Sequence, residues 1–82
     1  MPGRTKKHLR RSPLAVRLGA SIRDTRAQRK LTQEKLAEKA SLSKNYVGNI
    51  ERGEYDVTVS TLHQVATALG LTAGDLLNAA GI

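Results

Sequence analysis

Apolar residues recur along this chain in short runs of helical spacing, each run opened by Ser or Thr and several closed by Gly. Leu14, Leu18 and Ile22 fall on one stripe with Ala15 and Gly19, which predicts a first helix with Ser12 as N-cap and Pro13 in its first turn. Thr32 opens a second helix in which Leu36, Ala37 and Ala40 share a face. Ser41-Leu42-Ser43 then breaks the pattern, because serines favour caps and turns over helix interiors, and Leu42 reads as an apolar plug. Ser43 caps a third helix, Lys44 to about Arg52, with Val47 and Ile50 inward and Gly53 ending it. The run from Glu54 to Val59 is too short and isolated to pair as a sheet. It reads as a loop with Val57 or Val59 tucked into the core. Ser60 is expected to cap a fourth helix, with Leu62, Val65, Ala66 and Leu69 inward and Gly70 at its end. Thr72 caps a fifth, Ala73 to about Asn78, carrying Leu76 and Leu77. The pattern predicts an all-α domain of five helices over residues 14–82, behind an arm of residues 1–13.

Charge changes this picture by its placement. The formal net charge is +7 over 82 residues. Within residues 1–30, Arg4, Lys6, Lys7, Arg10, Arg11, Arg17, Arg23, Arg26, Arg29 and Lys30 face a lone acid, Asp24. The remainder is slightly acidic. A polyanion is the natural partner, and the N-terminal third supplies most of the long-range attraction. The arm holds Pro and Gly, five of those bases and no acid, and is expected to be disordered. It either follows a nucleic-acid backbone or enters the minor groove, where Arg is favoured, or else serves as a solvated tail in which His8 is one more polar residue. With no cysteine, neither a disulfide framework nor a thiolate metal site is available. No apolar run approaches the roughly 18 residues of a membrane span. Arg17 interrupts the apolar part of the N-terminal stretch, which is too broken for a signal-peptide core. A soluble, cytoplasmic protein is expected.

The second and third helices with their short turn, residues 32–52, form a helix-turn-helix by pattern. Thr32-Gln33, Leu36-Ala37, Val47 and Ile50-Glu51-Arg52-Gly53 occur in order, followed by Leu62, Val65-Ala66 and Leu69-Gly70-Leu71. Over roughly residues 14–78 this series resembles the Cro and phage-repressor type of DNA-binding regulator, the xenobiotic response element family. The resemblance implies a five-helix, lambda-repressor-like fold and sequence-specific binding of double-stranded DNA. The economy of the chain looks like small phage regulators or the controller proteins of restriction–modification systems. An antitoxin-like interaction module that also binds DNA is the alternative. The resemblance also implies that Arg26, a charge on the apolar stripe of the first helix, pairs with Glu51 at the end of the third.

An α-helix fits the major groove of B-DNA, and helix-turn-helix proteins set the N-terminal part of the second motif helix against base edges. With Val47 and Ile50 inward, the opposite face carries Lys44, Asn45, Gly48 and Asn49. Lys44 can donate to guanine O6 and N7, Asn45 and Asn49 can each pair with adenine N6 and N7, and Gly48 leaves the face uncrowded. Ser43 can contact a phosphate or a base edge. Thr32 and Gln33 begin a helix whose free N–H groups suit phosphate, Gln33 matches a backbone-binding position of the family, and Arg52 is expected to reach a phosphate from the far end of the third helix. Tyr46 either hydrogen-bonds a phosphate or packs on neighbouring aliphatics.

One such motif touches too few base pairs for selectivity, and the resemblance implies a symmetric dimer on two half-sites. Leu71, Leu76, Leu77 and Ile82 are expected to form the contact, since a short terminal helix has more apolar surface than it can bury at home. The chain ends soon after that helix, so control is expected to come through concentration, dimerisation or a partner such as RNA polymerase or a toxin. No catalytic or metal-binding constellation is expected: His63 stands alone on the fourth helix, with no phosphate loop or ligand spacing near it. No cofactor is implied.

Overall fold

The computed structural model describes residues 12–82, in which five helices follow one another: α1 Pro13–Gln28, α2 Gln33–Ala40, α3 Lys44–Glu51, α4 Val59–Ala68 and α5 Ala73–Ala79. The expected arm lies, but for Ser12 and Pro13, outside the described residues. Each helix starts on a hydroxyl cap. The side chains of Ser12, Thr32, Ser43, Thr58 and Thr72 accept from the backbone N–H of Ala15, Lys35, Tyr46, Thr61 and Asp75. Four of these caps are those the sequence predicts. The fourth helix instead starts two residues early, on Thr58 rather than Ser60. Either hydroxyl could cap there, and the early start lets Val57 turn inward while Val59 stays 82% exposed.

All five helices also end alike. An N–H two or three residues past each helix returns to a carbonyl five residues back: Leu31 to Arg26, Leu42 to Ala37, Glu54 to Asn49, Leu71 to Ala66 and Ile82 to Leu77. This terminus needs a left-handed residue just before that N–H, which glycine supplies most readily. Gly53, Gly70 and Gly81 do so, but Lys30 and Ser41 take φ of 59° and 60° with side chains attached.

The core is continuous across all five helices. Leu18 and Ile22 of α1, Leu36 and Ala37 of α2, Val47 and Ile50 of α3, Leu62, Val65 and Ala66 of α4, Leu69 after it and Leu76 of α5 are buried together. Each large aliphatic among them contributes roughly 1.5–3 kcal/mol by leaving water. Three expectations change here. Leu14 begins the predicted stripe yet is 54% exposed, at the border of a shallow surface groove, and Ala15 is buried in its place. Leu42 is half-buried against the core rather than a sealed plug. Leu76 is fully buried within the chain, so it belongs to the core and is withdrawn from the expected dimer surface.

Polar ties fix the frame. The buried Ser21 hydroxyl donates to the Leu76 carbonyl at 3.0 Å, joining α1 to α5. Arg17, on the outer side of α1, donates to the carbonyls of Ala80 and Gly81 at the end of α5. A cation at a helix C-terminus answers both its unpaired carbonyls and its dipole. Gln64 of α4 donates to the Ala40 carbonyl at 3.1 Å, holding the end of α2.

Candidate nucleic-acid interface

The helix-turn-helix is built from α2, the left-handed Ser41 turn and α3. Apolar side chains on the inner faces of both helices hold them together. Outside, Ser43, Lys44 and Asn45 are exposed at the start of α3, with Asn49 half-exposed one turn on. Thr32 and Gln33 lie at the start of α2, with the Thr32 hydroxyl engaged as its N-cap. Ser43 likewise accepts from the Tyr46 N–H and keeps its O–H as a donor.

The attitude of α3 is set from behind by one carboxylate. Glu51 is 6% exposed and Arg26 reaches it from α1, donating from Nε to Oε2 at 2.7 Å and from Nη2 to Oε1 at 3.1 Å. The remaining Arg26 nitrogen, Nη1, donates to the Leu31 carbonyl at 2.7 Å. This two-point fork between planar groups is the stronger form of an ion pair. Gln33 completes it, donating from Nε2 to Glu51 Oε1 at 2.9 Å. One buried acid thus ties together the end of α1, the start of α2 and the end of α3. The Gln33 side chain is therefore anchored as well as placed at the surface, a role the sequence reading did not assign.

Gly48 and Arg52 also differ from expectation. Gly48 is buried rather than lining an open face, because the Arg52 side chain folds back along α3 and lies over it. A Cβ at Gly48 would stand 3.2 Å from Arg52 Nη1 and 3.7 Å from Gln33 Oε1. Arg52 Nη2 donates to Asn49 Oδ1, and its Nε donates to Glu54 Oε2 at 3.1 Å. The guanidinium accordingly sits on the middle of the polar face instead of beyond the end of α3. The signal was legible in part: Asn49 and Arg52 are three apart, the spacing of neighbours on a helix.

Tyr55, in the loop between α3 and α4, stands beside this group. Its ring is 5.6 Å from that of Tyr46, tilted by 48°, and its hydroxyl lies 3.5 Å from Asn49 Nδ2. Tyr46 therefore packs on an aromatic neighbour rather than only on aliphatics. At the opposite pole, Leu71 and Leu77 are half-buried against the core and Ile82 is 44% exposed. Leu77 and Ile82 border a shallow apolar groove with Leu14 and Val57. Among the described residues, no group of three or more His, Cys, Asp or Glu is placed to hold a metal ion, and no helix is long and apolar enough to cross a membrane.

Comparison with known proteins agrees with this geometry. A family model described as helix-turn-helix matches residues 22–76. The immunity repressor protein of Bacillus phage phi105 is 52% identical over 54 residues, which are 66% of this chain but only 38% of the repressor. Control protein C.SmaI of Serratia marcescens is 40% identical over 65 residues, 79% of this chain and 77% of that protein. Among solved structures, the clp gene regulator ClgR from Corynebacterium glutamicum superimposes with a TM-score of 0.80 at 37% identity, covering 83% of this chain and 72% of the other. The restriction-modification controller protein C.AhdI from Aeromonas hydrophila gives a TM-score of 0.74 at 35% identity, covering 76% and 94%. These relatives are regulators, not enzymes. The chain belongs to the helix-turn-helix family of XRE-type DNA-binding transcriptional regulators.

Proposed function

We propose that this protein recognises a specific double-stranded DNA site through the outer face of α3 and regulates transcription there as a homodimer. The observation that carries the reading is the row of exposed Lys44 and Asn45 and half-exposed Asn49, on a helix held rigidly from behind by the Arg26–Glu51–Gln33 network. Rigid support matters because base readout discriminates by hydrogen-bond geometry, and a loosely held helix would average it away. Lys44, Asn45 and Asn49 read base edges, with Ser43 donating to a base or phosphate. The start of α2, at Thr32 and Gln33, takes the backbone, joined by Tyr46 and Arg52.

Four or five base pairs under one motif give too little selectivity, so two copies act together. The apolar pole formed by Leu71, Leu77 and Ile82 supports a two-fold contact, with Leu14 extending it.

The deciding experiment is selection of bound duplexes from a random pool at near-physiological salt, with the mass of the complex measured in parallel. A two-fold symmetric motif carried by a dimer is the expected result. Retention of DNA without an enriched motif would replace this reading with a sequence-blind, charge-driven binder. No retention would point to a protein partner instead.

A further inference from the structure

We propose that Arg52 is a specificity-positioning residue: it fixes the orientation of the Asn49 carboxamide and so decides which base Asn49 accepts. The inference rests on the reading of the α3 face as the base-reading surface.

A free asparagine side chain presents either its oxygen or its nitrogen in a given direction, because the two ends exchange by rotation about one bond. Here the choice is made. Arg52 carries only donors, so whatever faces it must be the Asn49 oxygen. The Nη2-to-Oδ1 hydrogen bond meets that requirement. Arg52 is itself held at two further points. Its Nε donates to Glu54 Oε2 at 3.1 Å, and its Nη1 lies over the space left by the absent side chain of Gly48. Oδ1 is thus turned along the helix toward Arg52, and Nδ2 is turned away, 3.5 Å from the Tyr55 hydroxyl.

The consequence is chemical. Bidentate pairing with adenine needs Oδ1 to accept from N6 while Nδ2 donates to N7. With Oδ1 turned toward Arg52 and one of its lone pairs taken there, Asn49 offers mainly a donor. A donor suits base edges that carry acceptors, above all the O6 and N7 of guanine. Asn49 in this protein therefore favours guanine over adenine, against the preference of an unrestrained asparagine.

The test uses the full chain and the motif obtained by duplex selection, with every single-base-pair variant of it. Asn49→Ala identifies the pair that Asn49 contacts, by relaxing preference there alone. The wild type is expected to favour guanine at that pair. Arg52→Ala is expected to shift the guanine-to-adenine preference at that pair by about tenfold toward adenine and to leave other positions unchanged. Arg52→Lys should reproduce the shift while keeping the salt dependence of binding, because lysine keeps the charge but cannot form the same fork. Asn49→Ala/Arg52→Ala should show no shift beyond that of Asn49→Ala. Arg52 is exposed, and melting curves of each variant guard against a folding defect. A loss for Arg52→Ala that is uniform across all duplexes, with the guanine-to-adenine preference at that pair unchanged, would overturn the inference and leave Arg52 a backbone contact alone. A wild-type preference for adenine, or no relaxed pair for Asn49→Ala, would overturn it equally. Failure of the wild type to select any duplex would instead overturn the DNA-binding reading beneath it.

Discussion

Gly19 of α1 lies directly under the carbonyl oxygen of Ile50 in α3: a Cβ built on Gly19 would stand 2.3 Å from that oxygen and 2.8 Å from the Glu51 oxygen. The two helices cross backbone to backbone, and nothing larger than hydrogen fits between them. Because the obstacle is main chain, it cannot swing aside as a side chain would. Gly19→Ala should push α3 away from α1 and destabilise the fold by about 1–3 kcal/mol. Thermal or urea unfolding checks this. An unchanged midpoint would mean that the helices separate at no cost.

The buried Glu51 makes a second case. It accepts from both Arg26 and Gln33, so Glu51→Ala strands a guanidinium that is only 16% exposed in its side chain. The expected loss is about 3–5 kcal/mol, the usual cost of leaving one partner of a buried pair. Arg26→Met/Glu51→Leu should recover much of it, since neither charge then remains. Equal melting temperatures for Glu51→Ala and wild type would reject the account.

Ser41 occupies the left-handed position of the turn between α2 and α3, with φ of 60° and ψ of 41°. Glycine holds such a conformation without steric penalty but loses more freedom on folding. Ser41→Gly should therefore stabilise the protein by roughly 0.5–1 kcal/mol, and Lys30→Gly should act likewise. A lower unfolding midpoint for both would contradict the strain argument.

Base readers and backbone binders should separate by their pattern of loss. Asn49→Ala should cost about 1–3 kcal/mol at one base pair, while Gln33→Ala weakens specific and random duplexes alike. Gln33 also bonds Glu51, so its variant should melt earlier, which Asn49→Ala should not. Titrations on both kinds of duplex decide the matter. Equal losses on specific and random DNA for Asn49→Ala would remove it from the reading face.

The apolar pole can be tested at positions the fold does not need. Leu14 and Ile82 are 54% and 44% exposed and border one groove. Leu14→Glu/Ile82→Glu should leave the melting curve of dilute protein nearly unchanged while halving the sedimentation mass. The same mass for both proteins would place any two-fold contact elsewhere.

What the sequence determined by itself was local. Ser12, Thr32, Ser43 and Thr72 announce helix starts because a hydroxyl satisfies backbone N–H groups a few residues away, which depends on nothing distant. Helical spacing of Leu18 and Ile22, Val47 and Ile50, and Leu62, Val65 and Leu69 marks inner faces for the same reason. Lys44, Asn45 and Asn49 follow as what is left outside. The tertiary structure decided whatever depends on where separate helices meet. Only the bundle leaves Leu14 outside and draws Leu76 fully in, because burial is set by neighbouring helices and not by period. Only the bundle brings Arg17 to the carbonyls of Ala80 and Gly81, across some sixty residues of chain. Gly48 illustrates the limit most plainly: its place on α3 was legible, but its purpose was not. The need for a hydrogen there arises from the Arg52 side chain laid over it, and a side chain's path is fixed by its partners in space.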